Sequence, residues 1–275
     1  MNILKLTVFG KPCKNYNMHK HMAEKKSSIP VMGDGRTIAV ISDVHANLEA
    51  LEAVWTDIQK HMPDRVICLG DIVGYGPDPE EVVRFFMQRN IPTVSGNHEL
   101  GVAGKTDLHD FNPFGLQAIE ISKNLLSEEC KKYLAALPQS IHEDELCFVH
   151  GFPPDSAHTY LFEADSYMLK TAFKKGIFSH CFIGHTHELE LVVLEGDNLA
   201  RLPLGKGKTS LEKGRYIINC GSVGQPRDGD YRAKYVLFDR RTKELETRFV
   251  PYDNEATIKK LLTRGFPETY ARRLK

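Results

Sequence analysis

The stretch "IAVISDVHAN" (residues 38–47) decides the fold. A continuous apolar run from Ile38 to Ile41 reads as a strand buried on both faces. It ends abruptly in Ser42, Asp43, Val44 and His45. One such ending is an ordinary strand-to-loop junction. The punctuation recurs, however. "RVICLGD" ends in Gly70-Asp71 and "IPTVSGNHE" ends in Gly96-Asn97-His98-Glu99. "LCFVH" ends in His150, and "HCFIGHTH" ends in His185-Thr186-His187. Five apolar runs each deliver Asp, Asn or His to what should be one edge of a sheet. In open α/β sheets, the crevice at the carboxyl ends of the strands is where ligands bind.

The segments between these runs have helical periodicity. "NLEALEAVWTDIQKH" places Leu48, Leu51, Val54, Trp55 and Ile58 on one stripe. "DPEEVVRFFMQRN" has Asp78 as N-cap, Pro79 in its first turn and Glu81 at the capping-box position. This βαβαβ rhythm predicts a parallel sheet with helices on its faces, with "IPTVSG" as its third strand. Residues 100–137 read as a helical and loop insertion that covers the crevice, and a helix is expected near "EADSYMLKTAFKKG". From Glu188 to Pro251, shorter apolar runs separated by turns predict a second, more antiparallel sheet. Two amphipathic helices follow, at Asn254–Leu262 and Glu268–Arg273. The sum is an α/β sandwich forming a single domain over residues 37–275. Residues 1–36 stand apart: "MNILKLTVF" reads as a stray strand at most, "KNYNMHKHMAEKKSSIPVMGDG" is polar and rich in Gly, Ser and Lys, and the whole reads as a flexible extension or a misplaced start. His19 and His21 there have no carboxylate or cysteine close by, so a solvated tail is expected.

Bulk properties narrow the function. The chain has 275 residues, with 36 basic and 36 acidic side chains. This balance gives no electrostatic case for a long nucleic acid or a membrane surface. No apolar run reaches transmembrane length. The six cysteines, at positions 13, 68, 130, 147, 181 and 220, are scattered without a CxxC pair. That usage fits a cytoplasmic protein, and the N-terminus lacks the pattern of a secretory signal. A homo-oligomer stays open.

The clustered residues are oxygen and imidazole donors with no thiolate. Such a set suits Mn, Fe or Zn. Eight positions exceed what one ion takes, but suit two divalent ions sharing a carboxylate, the arrangement used for in-line attack at phosphorus. Each motif taken alone has a bland reading: "DVH" as loop, "GD" as turn, "GNHE" as a helix start. The fivefold recurrence favours the functional one.

In order and context, "DVH", "GD", "GNHE", the lone His150 and "GHTH" resemble the calcineurin-like metallophosphoesterase superfamily, over roughly residues 37–252. "GDIVGYGPDP" and "GSVGQPRDGD" resemble its compact bacterial and archaeal phosphodiesterase branch. The resemblance implies a four-layer α/β/β/α sandwich of two mixed β-sheets flanked by helices. It implies that Asp43, His45 and His187 hold one metal, that Asn97, His150 and His185 hold the other, and that Asp71 bridges them. His98 would contact the scissile phosphate. Cys220 stands where relatives usually have proline, which bears on loop rigidity rather than chemistry. The implied activity is hydrolysis of a small phosphodiester or nucleotide-type substrate by a hydroxide bridging two metals, manganese among the candidates. A phosphomonoesterase on the same site, or a non-catalytic metal-binding scaffold, is the alternative. The "HxHxDH" cluster of metallo-β-lactamase-like hydrolases is missing. Asn47, Tyr75, Gln225 and Arg227 are candidate substrate-binding residues, with Arg227 suited to a second phosphate.

Overall fold

The computed structural model describes residues 36–275, so the expectations for residues 1–35, including His19, His21 and Cys13, lie outside the described residues. Eleven strands among the described residues form two mixed sheets. The first holds β1 (Thr37–Ile41), β2 (Arg65–Cys68), β8 (Gly207–Ser210), β10 (Ala233–Asp239) and β11 (Glu244–Val250), in the order β2-β1-β10-β11-β8. The second holds β3 (Ser140–Glu143), β4 (Leu146–Val149), β5 (His180–Ile183), β6 (Leu189–Glu195), β7 (Asn198–Pro203) and β9 (Arg215–Cys220), in the order β3-β4-β5-β9-β6-β7.

The alternation of side chains along β1 explains the layering. Ile38 and Val40 point into the space between the sheets, where they meet Phe148, Phe182, Ile218 and Phe238. Ala39 and Ile41 point outward, against α1 (Leu48–His61) and α2 (Pro79–Arg89). Beyond the second sheet, Cys147, Val149, Cys181 and Ile183 pack on Leu169 and Phe173 of α6 (Ser166–Lys175). The result is the four-layer α/β/β/α sandwich. Both faces of β1 are covered, which is why its sequence is continuously apolar.

Three expectations need correction. The first sheet is not the parallel one: β1 pairs parallel with β2 only, and its other pairs are antiparallel. The second sheet carries the parallel run β4-β5-β9. The chain crosses between sheets late, sending β9 to the second and β10 to the first, and local periodicity does not encode that choice. Second, "IPTVSG" is no strand but an isolated bridge between Cys68 and Thr93. Pro92 cannot donate to a ladder, and the chain turns away as the Ser95 amide bonds to the Pro138 carbonyl. Third, Asp78 sits at the N-cap of α2 but its side chain makes no capping bond. Its carboxylate faces Lys260 at 2.7 Å and Arg264 at 3.0 Å, tying α2 to α7 (Asn254–Thr263).

The insertion contains α3 (Asn97–Ala103), α4 (Pro113–Leu125) and α5 (Glu128–Ala135), and the chain ends in α8 (Glu268–Arg272). Among the described residues, no helix is long and apolar enough to cross a membrane. The five described cysteines are buried and free.

Candidate metal centre

The junctions after β1, β2, β4 and β5, and the start of α3, converge on one rim. Two of these strands belong to each sheet, so the rim is shared by both rather than being the edge of one. Tight turns are needed to aim the side chains inward. Asp43, His45, Asp71, His185 and His187 all have left-handed backbones, with φ of 53°, 47°, 49°, 68° and 64°. Such conformations are costly for residues with a Cβ and cluster where function requires them. Close approach of the two sheets' loops also requires Gly184, whose added Cβ would lie 2.4 Å from Asp43 Oδ2 and 1.9 Å from Ser42 Oγ.

Seven of the predicted residues come together: Asp43, His45, Asp71, Asn97, His150, His185 and His187 are all buried. Three overlapping sets could hold a metal: Asp43 with His45 and His187, His45 with Asp71 and His98, and Asp71 with His150 and His185. Every histidine predicted as a ligand commits one ring nitrogen to a backbone carbonyl. His45 Nδ1 faces Val73 O at 3.0 Å, His150 Nδ1 faces Leu69 O at 2.8 Å, and His187 Nδ1 faces Gln225 O at 2.6 Å. His185 is reversed, with Nε2 facing His158 O at 3.1 Å. A nitrogen facing a carbonyl must carry the proton, so the other nitrogen of each neutral ring is a bare lone pair.

Those lone pairs face each other. His45 Nε2 is 2.9 Å from His187 Nε2, and His150 Nε2 is 3.0 Å from His185 Nδ1. Two bare lone pairs at that distance repel unless a cation, a proton or a metal ion, lies between them. The acids sit in the same places. Asp43 Oδ1 is 3.3 Å from His187 Nε2, and this buried oxygen has no hydrogen-bond partner. Its other oxygen is occupied by Ser42 Oγ at 2.6 Å and the His185 amide at 3.0 Å. Asp71 Oδ2 lies 3.7 Å from His45 Nε2 and 3.3 Å from His150 Nε2, while Oδ1 accepts the His98 amide at 3.0 Å. Asn97 Oδ1 is 3.1 Å from His150 Nε2.

Electrostatics agree with this donor set. Burial depresses His45 and His187, and takes His98 to about 4 and His185 to about 3. At neutral pH these rings are uncharged, as metal ligands must be. Burial also opposes ionisation of Asp43 and Asp71, but the surrounding imidazoles reverse this and hold both carboxyls below the usual range. At His150 burial is overcome by Asp71 and the ring is pulled up to about 9, so without a metal its Nε2 holds a proton that a bound ion would replace. The cluster draws in positive charge.

A cleft of about 410 Å³ opens above this floor. His98, His185 and His187 line its base, and Tyr75, Phe111, Tyr160 and Arg227 line its walls. The ring of Tyr160 stacks on His185, with centroids 3.8 Å apart. Phe111, Asn112 and Gly115, from residues 100–137, line the cleft around the start of α4. Tyr75 and Arg227 therefore reach the cleft. Asn47 does not: it is fully buried, caps α1 at the Ala50 amide, and bonds to Gly224 O, Tyr252 and Thr257. Gln225 also lies behind the cleft, its carbonyl orienting His187 and its Oε1 accepting Arg227 and Arg273.

Sequence reasoning missed two positioning residues. Glu99 was legible only as the end of "GNHE". Its buried carboxylate accepts the amides of Asp71 and Gly96 on Oε2, at 2.7 and 2.8 Å, and those of Ile72 and Val73 on Oε1, at 2.9 and 3.2 Å. It thereby clamps the turn after β2 to the start of α3. Burial and then Asp71 push its carboxyl up to about 7. Asn219, at the end of β9, donates to Gly184 O and Thr186 Oγ1 at 2.9 and 2.8 Å, fixing the "GHTH" turn.

A family model of the calcineurin-like phosphoesterase superfamily domain matches residues 37–243. The chain belongs to the calcineurin-like phosphoesterase superfamily. It is 39% identical over 245 residues to an uncharacterized protein of Methanocaldococcus jannaschii, covering 86% of this chain and 96% of that one. It is similar to the crystal structure of a metallophosphoesterase from Sphaerobacter thermophilus, with a TM-score of 0.76 and 36% identity over 88% of this chain and 98% of that one. A hypothetical protein from Pyrococcus horikoshii OT3 shares the fold, with a TM-score of 0.69 and 18% identity over 86% of this chain and 97% of that one.

Proposed function

We propose that the protein is a metal-dependent phosphoric ester hydrolase that holds two divalent ions and cleaves a small phosphodiester or nucleotide-type substrate. The observation that carries this reading is the pair of facing imidazole lone pairs, at 2.9 and 3.0 Å, together with the orphaned Asp43 Oδ1. Each pair marks a place for one cation. Asp43, His45 and His187 would hold one ion, and Asn97, His150 and His185 the other. Asp71 Oδ2 faces a histidine of each set, which supports a bridging role. An oxygen and imidazole donor set without thiolate suits Mn, Fe or Zn.

Bound there, the ions would bring the pKa of water close to neutrality and neutralise charge on the phosphoryl oxygens. The chain's own residues do the rest. His98 lines the cleft floor, its backbone amide tied to Asp71 and its ring packed against His45, Tyr75 and Phe111, which would limit its freedom to turn. It would donate to a nonbridging oxygen or to the leaving alkoxide. The aromatic walls exclude water on either side. The cleft volume leaves room for an ester group on both sides of phosphorus, which favours diesters over monoesters.

The test is metal analysis combined with hydrolysis of bis-p-nitrophenyl phosphate and p-nitrophenyl phosphate in added Mn. The expected result is two ions per chain and faster turnover of the diester. Asp71→Asn should lose metal and activity together. His98→Ala should keep the metal and lose about 10²- to 10³-fold in kcat, the scale of one lost transition-state donor. Two bound ions with no turnover of either ester would point to the scaffold, and no bound metal would end the proposal.

A further inference from the structure

We propose that the cleft carries a second anion subsite, built from the Tyr75 hydroxyl, the Arg227 guanidinium and the first turn of α4, so that the substrate bears a second phosphoryl group beside the scissile one. This rests on the phosphoesterase reading and narrows its substrate class.

Tyr75 is the starting observation. It is 7% exposed and sits in a left-handed backbone conformation, φ 59°. Its ring lies edge-on to His45 at 4.9 Å and against His98 at 4.8 Å. The side chain lines the cleft, so its hydroxyl is presented to a ligand there. A tyrosine hydroxyl on a cleft wall, carried by a packed ring, is placed to donate to a bound group.

The hydroxyl is aimed at the start of α4. A Cβ added at Gly115 would lie 3.6 Å from Tyr75 Oη. The helix has 13 residues, with Asn112 as its N-cap and Pro113 at N1. Its positive end borders the cleft, which Asn112 and Gly115 line; the Gly115 amide is taken by Asn112 Oδ1 at 3.0 Å, so the helix offers its dipole rather than a free amide. Arg227 completes the set on the wall. Among the described residues it makes no ion pair with a carboxylate, and its only side-chain bond is 3.3 Å to Gln225 Oε1. Its charge reaches both Tyr75 and His98. Glu163, the acid at the rim, is turned to the Tyr160 amide at 3.1 Å.

Three donors of positive potential thus converge one ring away from the floor where the scissile phosphate would sit. A diester with two neutral arms would leave all three unanswered. An adjacent phosphoryl group would answer them, with Arg227 bidentate.

The experiment compares orthophosphate, pyrophosphate and ADP as inhibitors of bis-p-nitrophenyl phosphate hydrolysis, with free Mn held fixed. In the wild type, pyrophosphate should inhibit at least about tenfold more tightly than orthophosphate, the scale of one good charged contact. The ratio should fall to within about threefold in Tyr75→Phe with Arg227→Gln, each of which keeps most of the side chain's packing. Inhibition by ADP tighter than by pyrophosphate would mark a nucleoside polyphosphate, and weaker inhibition an inorganic one; both keep the second phosphoryl group. A wild-type ratio near unity overturns the subsite. So does a ratio unchanged in the double variant, because the metals alone would then account for it. If the nitrophenyl ester is not turned over, the phosphoesterase reading fails separately. The same anions are then compared by thermal shift of the metal-loaded protein and its double variant, where the same ratios apply.

Discussion

At the scale of residues, the donor set was legible because metal ligands must be deprotonatable or neutral donors delivered at tight turns, and that demand shows as Asp, Asn and His after apolar runs. What was not legible were the residues that hold the donors still. Asn47 and Gln225 read as polar loop residues open to substrate. Their real partners, Tyr252, Thr257 and the His187 ring, lie 205, 210 and 38 positions away. Glu99 is the sharpest case. Its two oxygens accept four backbone amides, which favours the ionised, acceptor-only form against the burial and the Asp71 charge that push its carboxyl up to about 7. Glu99→Gln would turn a donor toward those amides. The expected cost is about 3 kcal/mol of stability, and a 10- to 100-fold loss of metal affinity, the range seen when a supporting partner is removed. Titration of Mn into the variant, with unfolding in denaturant alongside, checks both. Unchanged metal affinity would reduce Glu99 to a purely structural residue.

At the scale of elements, the amphipathic helices and the continuously apolar strands were legible, the four-residue β2, β4 and β5 among them, whereas short polar strands were not. β3 and β8 have four residues each, with little apolar alternation to announce them; β3 is the edge of a hairpin with β4, and β8 depends on β11, supplied from farther along the chain. "IPTVSG" failed in the other direction, because Pro92 withheld a donor that a real strand would need. β5 yields a prediction of its own. Its first residue, His180, is 3% exposed, packs against Tyr216 and Phe238, and leaves Nε2 without a partner. Burial, reinforced by Lys243, lowers its imidazole from 6.5 to about 4. The unfolded chain therefore binds this proton more readily than the folded one. The stability from keeping the ring neutral is complete above pH 6.5 and is lost as pH falls from there toward 4. After allowance for solvent screening, the loss should be on the order of 2 kcal/mol. Urea unfolding of wild type and His180→Leu at pH 7 and pH 4.5 measures it. The wild type should lose more stability than the variant over that interval, and equal losses would show that other groups carry the acid sensitivity.

At the scale of the whole molecule, the candidate centre lies where the two sheets end together. Asp43, His45 and Asp71 follow strands of the first sheet, and His150, His185 and His187 follow strands of the second. The sheets already share a dry core through Val40, Phe148, Phe182 and Phe238, so they are coupled at their faces. A metal held by donors from both would couple them again at the rim. Any ligand that binds only the folded chain stabilises it by RT ln(1 + [L]/Kd), about 2.7 kcal/mol at a hundredfold excess over Kd. For a chain of this size, each kcal/mol moves the midpoint by roughly 2–4 °C. Stripping the metal with a chelator should therefore lower Tm by several degrees, and returning Mn should restore it in proportion to the logarithm of its concentration. The shift should be absent in Asp71→Asn, whose carboxylate faces histidines from both sheets. Because the donors come from both sheets, the two should still unfold in one transition with and without metal. A chelator that split the melt in two would show that the rim, not the shared core, holds the sandwich together. A Tm indifferent to Mn would mean that the facing imidazoles hold no ion at all.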